Sequence, residues 1–404
     1  MARHSLGFIY VTVALDALAM GIVIPVLPRL IGTLTNYDAP NIALAVGVLA
    51  TLFALTQFFA APIIGALSDR FGRRPIVLAA NASLAIDFAI MAFAPNLIWL
   101  AAGRFLSGIA AGSGPAAFAY VADVTPQSKR GAALGKLFGA QALGATLGPA
   151  LGGLLSSGDI RAPFWAAAIL CLLNTLYGLF VLPESLPPEK RARFDWAHAN
   201  PIGAIVWLAR AYPQALGMIV VAFLLSFASQ GANSLTVLYT EFRYGWTPQT
   251  IGIVLTIFGI ASLAVQAGLV TPITRRLGER ATFISGLSLT TAGLFLFGAA
   301  PTGALFCAAL PLLALGAICG PVMGGYFSAM VADHEQGRLQ GAWSGVNAAM
   351  GLLAPGAFTA LYATSISGAH APAPGAAFYA AAAILTLALL LATKTWRSPR
   401  RSID

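Results

Sequence analysis

Charge is scarce in this sequence: only 9% of its 404 residues are charged, against 58% hydrophobic. So little charge cannot cover a soluble surface, and with a mean hydropathy of +0.81 the chain reads as an integral membrane protein. Cysteine is also scarce. Cys171, Cys307 and Cys319 all fall inside apolar runs, which suggests neither a disulfide framework nor a metal cluster. No phosphate-cradling P-loop, zinc-ligand spacing or nucleophile elbow is present, which disfavours an ATP-driven pump or an enzyme and implies no cofactor. The net charge of +9 is scattered through loops and not gathered on one face, so nucleic acid is not the expected partner.

What the chain does have is apolar runs. A helical span needs ~20 apolar residues, and the runs predict twelve spans, at 6–31, 42–67, 75–94, 97–122, 131–156 and 163–183, then 214–239, 249–274, 281–299, 303–331, 340–364 and 375–393. The first run has no small-residue cleavage site and reads as a retained span. The expected organisation is all-α, with a six-helix bundle over 1–183, a linker over 184–213 and a second bundle with a short basic tail over 214–404. The linker carries Pro187-Pro188 and the run Glu189 to Arg193, and Ile202 to Leu208 is apolar enough to lie on a membrane surface. Of 23 Lys and Arg, nineteen fall in one set of alternate loops and the termini, three in the other set and one, Arg104, within a span. This asymmetry predicts that both termini are cytoplasmic.

One stretch concentrates charge: Gly65-Ala66-Leu67-Ser68-Asp69-Arg70-Phe71-Gly72-Arg73-Arg74-Pro75. So charged a turn cannot lie in hydrocarbon and must be a tight interfacial loop between spans 2 and 3. Its pattern, G-x-x-x-D-R-x-G-R-R, resembles the signature loop of the major facilitator superfamily. A degraded copy, Arg275-Arg276-Leu277-Gly278-Glu279-Arg280, follows 206 residues later. Gly131, Gly135, Gly139 and Pro149 have mates at the same offset in Gly337, Gly341, Gly345 and Pro355. Two motifs sharing one offset indicate parallel six-span repeats, a transporter architecture. Asp69 maps to Arg275, so the acidic residue is unique to the first copy. A carboxylate there is positioned to dock on the positive N-terminal end of span 11, near Gly337 to Gly341, as a conformational latch.

Only three formal charges fall fully inside spans: Asp16, Asp87 and Arg104. Intramembrane charges are expensive and mark function by default. Asp16 lies about 14 Å from the start of span 1 at the helical rise, with no partner of matched depth. It is either the proton carrier or a helix-packing residue. Asp87 and Arg104 lie roughly 9 and 10 Å from the same end of spans 3 and 4, which makes an ion pair plausible, functional or structural. In span 5, Gly144, Gly148 and Gly152 share a face, with Pro149 and Gly153 beside them. This allows close helix contact, and G-x-x-x-G-P-x-x-G-G resembles the antiporter motif of drug-exporting facilitators. Gln57, Asn81, Gln141, Asn174, Gln230, Asn233, Gln266 and Asn347 are the polar residues of apolar spans. All but Asn174 are taken as cavity candidates, and some of the set must instead bond between helices.

Within the superfamily the chain resembles the tetracycline-resistance group of twelve-span drug:proton antiporters. The matching stretches are Leu15-Asp16 through Pro28, the loop Gly65–Pro75, Gly103-Arg104 with Ser107-Gly108-Ile109, Ala122-Asp123, Ala162-Pro163-Phe164, Leu182-Pro183-Glu184-Ser185 and Leu339-Gln340-Gly341. The resemblance implies proton-driven export, with Asp16 and Asp87 as functional carboxylates and Arg104 influencing coupling. Gly65, Asp69, Arg70, Gly72, Arg73, Arg74 and Asp123 would form the latch. Ser262 and Thr290 stand where that group carries a histidine and an aspartate, which puts recognition of a drug–metal chelate in doubt. The expected function is therefore inner-membrane, monomeric, proton-coupled export of an amphipathic drug-like molecule, tetracycline included, which as cargo would bring a divalent metal. The alternatives are a metabolite exporter or facilitator of the same fold, or a membrane sensor that has lost transport.

Overall fold

The computed structural model of the protein describes residues 2–111, 114–191, 207–331, 335–367 and 373–396, without the side chains of 2–5, 115, 190, 336–338 and 340. The membrane-surface segment expected over Ile202 to Leu208, as far as Val206, and the basic tail after Trp396 lie outside these residues.

Every regular element among the described residues is a helix. Eleven are long and apolar enough to cross a membrane. The twelfth, Arg130–Leu155, has 26 residues, but its glycines dilute its apolar character. In chain order the spans are 1 (Ala2–Val23), 2 (Ala39–Phe71), 3 (Arg73–Phe93), 4 (Leu97–Ala111 with Gly114–Val124), 5 (Arg130–Leu155) and 6 (Ala162–Val181). There follow 7 (Leu216–Tyr244), 8 (Pro248–Ala264, continuing to Leu277), 9 (Glu279–Ala299), 10 (Gly303–Gly316 with Cys319–Met330), 11 (Gln336–Ser367) and 12 (Ala376–Thr395).

Two predicted spans are broken, each for a nameable reason. Span 1 ends at Val23, and a separate short helix runs from Leu27 to Leu34. Pro28, in its first turn, lacks an N–H and clashes with the carbonyl four residues back, at Ile24, where the turn lies. Pro321 does the same to Ala317 in the turn that divides span 10. Span 8 carries one π-helical turn, Val265–Leu269, a feature frequent at functional sites.

The chain forms two compact units. The first comprises 1–38, 48–200 and 246–256; the second comprises 39–47, 201–245 and 257–404. In the first, span 1 lies against spans 5 and 6, and span 3 against spans 4 and 6. Its core joins Phe8, Ile9, Val77, Tyr120, Val121 and Leu137. In the second, span 7 lies against spans 11 and 12, and span 9 against spans 10 and 12. There Tyr239, Phe297, Phe306 and Phe378 pack ring to ring, with Phe297 and Phe306 stacked at 3.8 Å.

The internal repeat is visible as local geometry. Gly72 (φ 106°, ψ 160°) and Gly278 (φ 80°, ψ 160°) each open the third span of their half in a backbone conformation that favours glycine. Their N–H groups bond the carbonyls of Ser68 and Thr274, again 206 residues apart. Asn96 and Thr302, mates at that offset, both cap the span that follows. The guanidinium groups of Arg74 and Arg280 each donate to a last-turn carbonyl of the sixth span, at Leu179 and Thr393.

Candidate functional site

Asp16 sits on span 1 half-buried, and its partners are amides. With its nitrogen toward Asp16, the orientation that avoids setting oxygen against oxygen, Asn81 of span 3 donates to both carboxylate oxygens at 3.1 and 2.9 Å. The Asn81 oxygen accepts from the Asn174 amide of span 6 at 3.0 Å. The Asn174 oxygen accepts from the Thr12 hydroxyl at 3.1 Å. Thr12, Asn81 and Asn174 are all at most 3% exposed. Asn81, expected in a substrate cavity, is thus placed behind Asp16 and away from any accessible wall. The sequence reading named Asn174 but assigned it no site, and it passed over Thr12. Thr12 lies one helical turn from Asp16, which is the signal that was available.

Asp87 is fully buried and accepts from the Ser107 hydroxyl of span 4 through Oδ2, while Oδ1 has no partner among the described residues. Gly103 makes the approach possible, since a Cβ there would lie 2.6 Å from Asp87 Oδ1. Arg104 is also buried, but its Nη2 donates to the Met91 sulfur at 3.0 Å, its Nε has no partner among the described residues, and its guanidinium lies 6.0 Å from the Phe53 ring centre. The ion pair expected between Asp87 and Arg104 is therefore not formed directly. The two charges interact electrostatically through the unit, each held by a weaker neutral neighbour.

The glycine face of span 5 meets the helix that carries Asp16. Side chains at Gly144, Gly148 and Gly152 would run into the backbone of span 1 at Ala14, Leu18 and Ile22. These three positions are spaced by four residues and bracket Asp16. At Gly148 the clash would be 2.6 Å, with the Leu18 carbonyl oxygen. Gly153 meets Pro248 and Gln249 in the same way. Pro149 interrupts the ladder of span 5. Beside it, the Thr256 hydroxyl inserts between Thr146 O, to which it donates at 2.9 Å, and Ala150 N, from which it accepts at 3.1 Å. Thr256 was not a sequence candidate. Gly131, Gly135 and Gly139, one to three turns earlier, face open space.

The charged loop is organised around three acidic residues, Asp69, Asp123 and Glu184. Arg73 pairs with Asp69 four residues back and with Asp123 at 3.2 Å, and it donates to Ser68. Asp123 also accepts from Ser185. Glu184 accepts the backbone N–H groups of Arg73 (2.8 Å), Arg74, Ser185 and Leu186, which caps the start of span 3. It also fills the space that a side chain at Gly72 would need. Arg70 is exposed over the Phe71 ring at 5.1 Å, and Gly65 has open space around it. Glu184→Ala removes four acceptor contacts at once, so the purified protein is expected to lose about 1–2 kcal/mol of stability. An unchanged thermal midpoint in detergent would remove Glu184 from this cluster.

The remaining polar candidates are more dispersed. Asn347 accepts from Ser226 and donates to the Trp343 carbonyl, both at 3.1 Å. Gln266, exposed on the π turn, donates to Ser262 O. Gln57 and Gln230 are half-buried, and Gln141 and Asn233 are exposed. The Thr290 hydroxyl is bonded to Gly286 O in its own helix. No group of three or more His, Cys, Asp or Glu converges as a metal site among the described residues.

Comparison with known proteins places this geometry in a family. The family model of the Major Facilitator Superfamily matches residues 9–268 and 218–403. The chain is 38% identical to the class C tetracycline resistance protein of Escherichia coli over 366 residues, 91% of each chain. It is 33% identical to the class G tetracycline resistance protein of Vibrio anguillarum, over 90% of this chain and 91% of that one. The crystal structure of the human organic anion transporter MFSD10 (TETRAN) superposes with a TM-score of 0.70 at 23% identity, covering 97% and 99% of the two chains, which shows the shared fold. The chain belongs to the major facilitator superfamily, and within it resembles the tetracycline-resistance proteins.

Proposed function

We propose that this transporter is a proton-coupled antiporter that exports an amphipathic, drug-like molecule, tetracycline included, by alternating access. The observation that carries the reading is the setting of Asp16. It is a half-buried carboxylate in the middle of span 1, bonded among the described residues by neutral amides, on a helix clamped by the glycine face that resembles an antiporter motif. A carboxylate so placed binds and releases a proton, and each event removes or restores a charge the membrane interior opposes. Asp87, with one oxygen unpartnered among the described residues, is the second proton-coupling residue, and Arg104 tunes it.

The chain is organised as bundles 1–183 and 214–404 joined by a linker, 184–213, in the inner membrane with both termini cytoplasmic, and it acts as a monomer. The loop from Gly65 to Arg74 with Asp123 is the conformational latch. Gln57, Gln141, Gln230, Asn233, Gln266 and Asn347 contact the cargo. Ser262 and Thr290 are neutral, so neither supplies a charge to a drug–metal chelate.

Expression in an exporter-deficient bacterial host tests this. A panel of amphipathic antibiotics should show raised inhibitory concentrations for tetracycline or a compound of its class. Unchanged susceptibility across the panel, with the protein present in the membrane, would refute drug export.

A further inference from the structure

We infer that Thr12, Asn174 and Asn81 form a donor-only backstop that fixes Asp16 from behind, so that its proton is loaded and released solely on the accessible side. The inference deepens the reading of Asp16 as proton carrier and rests on it. The polarity of the chain carries the argument. Thr12 donates to the Asn174 oxygen, the Asn174 nitrogen donates to the Asn81 oxygen, and the Asn81 nitrogen donates to both oxygens of Asp16. Each amide has its oxygen already engaged, so Asn174 cannot turn round without losing two bonds, nor Asn81 without losing three. Asn81 therefore offers the carboxylate N–H groups only. An amide nitrogen neither accepts a proton nor passes one on at physiological pH, and a protonated Asp16 cannot point its O–H toward Asn81. The three buried residues come from spans 1, 3 and 6, whereas Asp16 is half-open.

Among the described residues, no other group around Asp16 competes for this role. Span 6 brings the Cys171 thiol into its field, and Asn174 itself also lies within bonding reach. Span 5 presents Gly144 and Gly148 to the backbone on either side. Asp87 of span 3 and Arg104 of span 4 are engaged with Ser107 and Met91, and Tyr10 of span 1 donates to Ala133 O. Thr12, Asn81 and Asn174 are thus positioning residues, acting through Asp16.

The test uses the full-length protein in membranes and a lipid-soluble carbodiimide, which adds to a protonated carboxyl, with modification of Asp16 read by mass spectrometry across pH. Asn81→Leu and Asn174→Leu should displace the labelling profile by about one pH unit or more, the worth of one hydrogen bond to a charged group. Thr12→Val, which keeps the shape and removes only the terminal donor, should displace it less. Asn174→Leu keeps the Asp16 carboxylate itself in place, and equal yield and thermal midpoint show that it folds. In parallel, gradient-driven tetracycline accumulation in everted vesicles should fall about tenfold or more in Asn174→Leu while exchange at equal pH persists. Profiles that superimpose on wild type in both Leu variants would overturn the backstop. If the wild-type protein shows no labelling that Asp16→Asn removes, the proton-carrier reading of Asp16 fails instead.

Discussion

An Asp16→Asn protein is expected to reach the membrane in wild-type amounts and to accumulate no tetracycline against a pH gradient in everted vesicles. The amide has nearly the shape of the carboxylate, and its oxygen can still accept from Asn81, so the packing of spans 1, 3 and 6 survives. What is lost is the change of charge. Alternating access driven by protons requires a group whose binding of a proton alters which state is favoured, and Asn is neutral throughout. Tetracycline exchange at equal pH on both sides should persist, because it needs cargo binding and reorientation but no net proton flow. Asp87→Asn should show the same dissociation of driven transport from exchange, since Asp87 is fully buried with one oxygen unsatisfied. Wild-type gradient-driven rates from either variant would remove that residue from the mechanism.

The second large effect concerns the helix contact and not the charge. Gly152→Val should abolish transport and lower the yield of folded protein. A branched side chain there meets the backbone of Ile22, and backbone cannot rotate aside as a side-chain tip can. Overpacking of this kind costs about 1–3 kcal/mol, occasionally more, and relief requires span 1 to move away from span 5 with Asp16 on it. Gly148→Val should behave alike. Gly135→Ala and Gly139→Ala, on the same helix with open space around both glycines, should keep at least half of wild-type export. Equal activity across all four variants in the same assay would mean that the glycine face does not position Asp16.

Much of this was legible from the chain alone, for physical reasons. Apolar length locates spans in hydrocarbon, and spacing by four puts Gly144, Gly148 and Gly152 on one face. The shared offset placed Gly72 and Gly278 at equivalent turns. The breaks at Ile24 and Ala317 are also legible, since each lies four residues before a proline, whereas apolar length by itself runs straight through them. The partners of Asp16 were not legible. Depth along a helix follows from the rise, whereas rotation about its axis is set by packing against neighbours. The same limit explains Asp87 and Arg104, which share a depth but are turned so that Ser107, one turn beyond Arg104, reaches the carboxylate first. Glu184 went unassigned because four backbone N–H groups converge on it only after the end of span 6 and the start of span 3 come together.

The most direct test of proton antiport is an imposed gradient. In everted vesicles made acidic inside, wild-type protein should accumulate tetracycline above the external concentration while protons leave. Collapsing the gradient with nigericin should end both fluxes together. Accumulation that continues unchanged after nigericin, or tetracycline entry without proton exit, would contradict the account.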